Sequence, residues 1–356
     1  GLLIGGILIP IFGLIMIGDG SLLDGLSTLT TENPDKFKSM GGPTDPVPFY
    51  TIFTGMMLVQ LFYWGTNQQI IQRALGAKDL KEGQKGLLLA SFIKILGPLI
   101  VVLPGLIAYH IFEGNLESAD SAYPMLVKKV LPTAWVGFFA AVLFGAILSS
   151  FNSVLNSSVT LFGLDIYKQH INKDANEKTI VKYGKTFGVI LAIAAMFIAP
   201  LIANAGSLFA YLQEINGIYS IPILTIIIVG YFTKRVPAIA AKIGLVSGCL
   251  LYIVSQFFMQ PHFINKALEN AKVSGITDEA GLALVKAQAY PHFLDIMAIL
   301  FVLNILIMLI IGYFKPREEA YVQEYTKQVD ITPWKYVKQV GIAICIIVIG
   351  VYIYFA

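Results

Sequence analysis

Residues 137–168 read GFFAAVLFGAILSSFNSVLNSSVTLFGLDIYK, and no charge interrupts them before Asp165. An α-helix needs roughly 20 apolar residues to cross a 30 Å hydrocarbon slab, and this stretch is longer. Its core at 134–164 is one of several. Others of similar character lie at 1–17, 50–72, 86–112, 183–203, 206–232, 238–259, 291–314 and 336–356. Composition agrees, with 56% of the 356 residues hydrophobic, only 13% charged and a mean hydropathy of +0.73. Too little polar surface remains to cover a soluble core. Open sheets are excluded because lipid leaves strand edges unsatisfied, and an outer-membrane barrel would show short alternating segments. The expected fold class is an all-α integral membrane bundle of about nine transmembrane helices. The first stretch carries no basic leader and no small-residue cleavage site, so it reads as a truncated helix and not as a signal peptide.

Charge sidedness supports that count. The loops at 73–85, 168–185, 233–242 and 315–338 together carry 17 Lys and Arg, against 7 in the loops at 18–49, 113–133 and 260–290. The one remaining basic residue, Lys94, lies inside a span. Basic loops stay in the cytoplasm, so the chain is expected to start inside and end outside. The poorer loops hold many of the acids, among them Asp19, Asp24, Glu32, Asp45, Glu113, Glu117 and Asp120. The 20–49 segment reads as an external excursion. In 260–290, a mildly amphipathic stretch at Glu279–Ala289 predicts a helix on the outer surface.

Several function classes drop out. No basic run is dense enough for nucleic acid. Cys249 and Cys345 lie in apolar stretches without CxxC spacing, so neither a disulfide nor a metal framework follows. His110, His170, His262 and His292 stand at span ends or in loops, with no HExxH motif, nucleophile elbow or phosphate loop. No organic cofactor and no enzyme activity are expected. Polar groups inside the membrane are the informative ones, since lipid-facing positions need only apolar residues.

There are four such places. In Thr51–Arg73, TIFTGMMLVQLFYWGTNQQIIQR, Gln60 precedes Tyr63, Trp64 and Gly65, where a helix can break and turn its backbone toward a cavity. An interfacial aromatic belt is the alternative. Lys94 lies about 13 Å beyond the cytoplasmic end near Lys85, ahead of Gly97-Pro98. That depth favours a cavity over snorkelling. In the 134–164 span, six of the nine residues from Ser149 to Ser157 carry a hydroxyl or an amide. The plain reading is hydrogen-bonded helix packing. The sharper one is a cation site from the Ser149 and Ser150 hydroxyls and the Ala146 carbonyl, on one face, with a helix bend there to free the carbonyl. In the 206–232 span, Gln213 and Glu214 point about 100° apart, so one of them faces a cavity; Pro222 is expected to bend the helix. Asp165 and Asp295 read as interfacial.

Four segments resemble the solute:sodium symporters, in their sodium/glucose cotransporter branch. They are YWGTNQQIIQRALGAKDLKEGQKG (63–86), FIKILGPLIVVLPG (92–105), AILSSFNSVLNSSVTLFGLDIYK (146–168) and YLQEINGIYSIPILTIIIVGYFTKR (211–235). The resemblance covers most of 50–240; the final two helices match in position and hydropathy. It implies the five-plus-five inverted-repeat bundle of leucine-transporter type, with about fourteen helices. Residues 1–19 would then be the last helix of the first repeat and 20–49 an external loop. Residues 50–232 would be the second repeat and 233–356 three peripheral helices. Most of the first repeat would be absent, and these residues alone are not expected to transport.

Carried over by resemblance, Tyr63 is an inner gate stacking under the sugar ring, with Trp64 beside it. Lys94 and Gln213 are sugar-hydroxyl ligands, and Ala146, Ser149 and Ser150 are half of a sodium site. Gln60 stands where the bacterial galactose carriers usually hold a smaller polar residue. The resemblance therefore implies a sodium-coupled sugar symporter in the plasma or inner membrane, with sodium, a sugar and the lipid bilayer as partners. Inositol, sialic acid or an amino acid are alternative solutes. A membrane sensor on the same fold would carry a cytoplasmic extension after Ala356, where the span count places the outside. A topology test follows. A cysteine at Glu117 should label from outside intact cells and one at Asn176 should not; the reverse pattern would overturn the span count.

Overall fold

The computed structural model describes residues 2–116, 118–202, 208–322 and 329–356, so Glu117 lies outside the described residues. Fifteen α-helices are present among them, and no strand. In chain order they are α1 (Leu2–Ile17), α2 (Leu22–Glu32), α3 (Gly55–Gly65), α4 (Gln68–Leu75), α5 (Leu80–Lys94), α6 (Leu103–Ile111), α7 (Ala122–Val130) and α8 (Thr133–Leu161). Then come α9 (Glu177–Ile202), α10 (Leu208–Phe232), α11 (Ala238–Ile253), α12 (Gln260–Val273), α13 (Glu279–Ala289), α14 (Phe293–Phe314) and α15 (Val337–Tyr354). Wider π-helical turns extend α8 through Phe162–Ile171 and join α11 to α12 through Val254–Met259.

Six of the described helical stretches are long and apolar enough to cross a membrane, or eight if two bent pairs are each one span. The expected count of about nine differs because the 50–72 stretch is divided into α3 and α4, of 11 and 8 residues. Helices also occur in stretches read from the sequence as loops. The 20–49 excursion contains α2, started by Ser21, whose hydroxyl accepts from Asp24 N. The 113–133 loop contains α7, and α12 runs into the 260–290 loop. The amphipathic stretch at Glu279–Ala289 is helical as expected, with Asp278 as its N-cap. Helix α10 continues through Pro222 as a single element.

The chain forms two compact units. The first comprises Gly1–Ser39, Gln72–Leu208 and Asp330–Ala356. Its core gathers Ile9 and Leu14 of α1, Leu29 of α2, Ile107 of α6, Leu126 of α7 and Phe139 of α8. Asn33, at the end of α2, hydrogen-bonds His110 of α6 at 3.2 Å. In the same unit α15 lies along α5. Its approach is fixed by Leu80 N donating to Asp330 O (3.0 Å) and Trp334 N donating to Gln84 Oε1 (2.7 Å).

The second unit comprises Met40–Ile71 and Phe209–Val329. Its core joins Leu58, Val59 and Phe62 of α3 to Ile221 and Leu224 of α10, Tyr252 of α11 and Leu294 and Met297 of α14. Helix α11 buries Ala240, Gly244, Gly248 and Tyr252, four residues apart, on one face. Small side chains at this spacing let helix backbones approach closely without a hydrophobic effect to drive them together. A Cβ at Gly248 would sit 2.7 Å from Pro222 Cγ and 2.9 Å from Asn304 Nδ2. Ser247 donates to Asn304 Oδ1 at 3.3 Å, and Tyr252 OH to the Glu214 carbonyl at 2.9 Å.

That contact predicts a mutational outcome. Gly248→Leu should lower the stability of the full-length protein by about 1–3 kcal/mol through overpacking. Gly230→Leu, whose added atoms meet open space, should change it little. Thermal unfolding in detergent reads both, and equal effects would contradict the packing.

Candidate functional site

The helix break expected after Tyr63-Trp64 is present. Helix α3 ends at Gly65 because the N–H groups of both Thr66 and Asn67 turn back to the Phe62 carbonyl, at 2.9 and 3.0 Å. Thr66 adds its hydroxyl to the same oxygen at 2.9 Å. The Tyr63 carbonyl thus does not receive the Asn67 N–H that a continuous helix would give it. Helix α4 then starts on Asn67, whose side-chain oxygen accepts from Gln69 N at 2.9 Å. Asparagine suits this position because its short amide replaces a missing backbone acceptor.

On the last turns of α3 the structure brings three expected residues together. Trp64 Nε1 donates to Gln60 Oε1 at 3.0 Å, one helical turn back. The Tyr63 and Trp64 rings meet edge to face, 5.2 Å between centroids. The Gln60 amide nitrogen contacts only a weak acceptor, Met56 Sδ, at 3.6 Å. Phe62 anchors the helix by an edge-on contact with Tyr219 of α10, 5.9 Å between centroids. Gln213, half-buried on the same α10, belongs to this second unit.

Lys94 and the serine pair belong to the first unit. Lys94 is the last residue of α5, and its side chain is exposed. Helix α5 stops there because Pro98, four residues on, has no N–H to give the Lys94 carbonyl, and its ring crowds that oxygen. The chain tightens, with Ile95 N and Leu96 N bonding back three residues, and the two halves of the span meet at 41°. Lys94 therefore sits at a kink, beside a carbonyl released from the helical ladder.

Ala146, Ser149 and Ser150 all lie on α8, and of these Ser149 is among the residues that line a groove. The bend expected there does not occur: α8 is unbroken from Thr133 to Leu161. Its polar residues also do not make the main contact with α9. That contact uses Leu155 and Val159 against Gly184 and Gly188, where a Cβ would come within 2.9 and 2.8 Å of Val159. Instead Gly145, Ser149, Asn152, Ser153 and Asn156 line an open groove of about 700 Å³ with Gln72 and Arg73. The Arg73 guanidinium donates to Ser153 Oγ, and Gln72 Nε2 to the Ser153 carbonyl at 3.4 Å. Ser153 Oγ in turn donates to the Ser149 carbonyl at 3.1 Å. Arg73 had no distinguishing signal in the sequence, since a basic residue at the end of an apolar span is ordinary.

Residues 2–248 match the Sodium:solute symporter family. The chain belongs to that family. An uncharacterized symporter, YidK, of Escherichia coli (strain K12) is 44% identical over 353 residues, 99% of this chain and 57% of that protein. The sodium/glucose cotransporter of Vibrio parahaemolyticus is 36% identical over 269 residues, 69% of this chain and 49% of the other. Human sodium/myo-inositol cotransporter 2 is 33% identical over 229 residues, 59% of this chain and 34% of the other. The chain thus spans about half the length of these relatives or less. Family and helices together make it a multi-pass membrane protein of a transporter family.

The cap at the break makes a prediction. Asn67→Ala should destabilise the start of α4 by about 1 kcal/mol, while Asn67→Asp, which keeps the acceptor, should not. Hydrogen exchange of the 68–71 amides in the full-length protein reads this. Equal protection in Asn67→Ala would show that the cap is dispensable.

Proposed function

We propose that the chain is the second-repeat part of a symporter that uses inward sodium flow to import a neutral polyhydroxylated solute, a sugar or cyclic polyol, by alternating access. The observation that carries the reading is the interruption of the second span directly after Tyr63 and Trp64, in a chain of the sodium:solute symporter family. Interrupted helices expose backbone groups at membrane depth and are tolerated where they line a cavity. Sodium, a hard cation, wants several close oxygens; the Ala146 carbonyl and the Ser149 and Ser150 hydroxyls are three candidates. Because α8 is unbroken, the two hydroxyls carry more of the coordination than the carbonyl. In this reading the basic loops face the cytoplasm and Ala356 lies outside.

The solute class follows from donor chemistry. Gln60 has its carbonyl taken by Trp64 and its amide donor directed at a thioether, which a solute hydroxyl would displace. Lys94 and Gln213 add donors, and Tyr63 offers an aromatic face. Two relatives are named for glucose and for myo-inositol, both neutral polyols. A carboxylated solute is the second reading, favoured by the Lys94 ammonium, which would pair with a carboxylate.

The test is sodium-driven uptake by the full-length protein in proteoliposomes, with D-galactose, myo-inositol and sialic acid as probes. A neutral polyol should accumulate only with an inward sodium gradient. Ser150→Ala should raise the half-saturating sodium concentration roughly tenfold, the loss of about 1.4 kcal/mol. Lys94→Ala should weaken solute affinity by a similar factor while folded yield is kept, because an intramembrane charge is removed. Unshifted sodium dependence in both Ser149→Ala and Ser150→Ala would reduce the pair to helix packing, and uptake of sialic acid alone would favour the carboxylated solute.

A further inference from the structure

We propose that Arg73 and Ser153 form a hydrogen-bond relay linking the second half of the interrupted helix to the sodium-site face of α8. The inference rests on the sodium reading above and deepens it. Arg73 lies on α4, which starts two residues after the break, and its guanidinium donates to Ser153 Oγ. That hydroxyl in turn donates a hydrogen bond to the Ser149 carbonyl at 3.1 Å. Gln72, the neighbour of Arg73, holds the Ser153 carbonyl at 3.4 Å. One serine therefore receives two donors from α4 and reaches the backbone of a residue whose side chain is a candidate ion ligand.

The chemistry of each position suits the role. Arginine is charged at every accessible pH and presents several donors in a fixed fork, so its grip does not vary with proton concentration. A serine hydroxyl both accepts and donates, which a relay requires. A hydroxyl polarised by a guanidinium donates more strongly in turn. Bonding of Ser153 to the carbonyl four residues back also loosens the local ladder at Ser149, as serine back-bonding does in helices. A displacement of α4 that carries Arg73 away from α8 would change the bonding of the Ser149 carbonyl. Because coupling is reciprocal, an ion that fixes this stretch of α8 would hold α4. Arg73 and Ser153 are positioning residues; neither touches the ion.

The experiment needs no solute. Sodium, exchanged for choline at constant ionic strength, is titrated against the thermal unfolding of the full-length protein in detergent. A ligand that binds the folded state raises the unfolding temperature according to its affinity. Arg73→Ala and Ser153→Ala should each weaken apparent sodium affinity about fivefold, the lower end of site-to-site coupling. The double variant should be no weaker than either single one, since both remove the same link, and Arg73→Lys should recover part of the loss. A purely structural role would lower the unfolding temperature in all buffers and leave the sodium dependence alone. Unchanged sodium affinity in both single variants, or additive losses in the double one, would overturn the relay while Ser150→Ala still shifts affinity. A parent protein with no sodium stabilisation would instead overturn the sodium reading, and the relay with it.

Discussion

In hydrocarbon, every peptide N–H and C=O must find its partner within the protein, since an unbonded one costs several kcal/mol. This constraint shapes the chain more than side-chain propensity does. It explains why the described residues are helical nearly throughout, and why β-branched Ile and Val, which are unremarkable helix formers in water, populate long helices here. It also makes any interruption costly, so those at Thr66-Asn67 and at Lys94–Pro98 are informative. At Thr66-Asn67 the stray N–H groups converge on the Phe62 carbonyl and the Asn67 side chain restarts the ladder. At Lys94–Pro98 the proline withholds a donor and an ammonium stands beside the carbonyl that loses it. Both interruptions are followed by local rebonding.

The same constraint separates the two units energetically. In the second unit, helices approach through glycines, and polar side chains such as Ser247 and Asn304 pair across the contact. Packing of this kind depends on shape, because lipid tails are as apolar as leucine and offer no hydrophobic gain for helix association. In the first unit, α8 turns Leu155 and Val159 to the glycines of α9 and lines a groove with Ser149, Asn152, Ser153 and Asn156. One helix thus serves both close packing and polar contact.

What was legible in the sequence follows from how local each signal is. Spans such as 134–164 and 291–314 announce themselves by length without charge, and the 279–289 helix by its mild amphipathic periodicity. The break after Tyr63-Trp64 was legible because glycine and amides there oppose helix continuation locally. Helices α2, α7 and α12 were not, since each is a short segment of mixed composition without a span-length signal and is held by neighbours: α2 by His110 of α6, for example. The unbroken course of α8 was misjudged because its serines bond backward within the helix without breaking it. Arg73 was missed for a different reason. Its significance is a partner 80 residues away, and no local pattern encodes that.

The polar face of α8 can be argued one step further. Ser149, Asn152, Ser153 and Asn156 recur at helical spacing along one groove, and Ser153 accepts hydrogen bonds from Gln72 and Arg73. Leaving a hydroxyl or amide against hydrocarbon costs about 1–3 kcal/mol by mutational measures, so several together are too costly for a lipid-facing surface. Apolar residues at the same positions would have been cheaper if packing or lipid contact were the only demand. Water or a polar protein surface must therefore cover this face in the membrane. The matched segments make up 57%, 49% and 34% of three relatives in the family, so those proteins have further chain that could supply such a surface. The Arg73 guanidinium and the Gln72 amide, which both bond to Ser153, are one such polar partner within the chain itself.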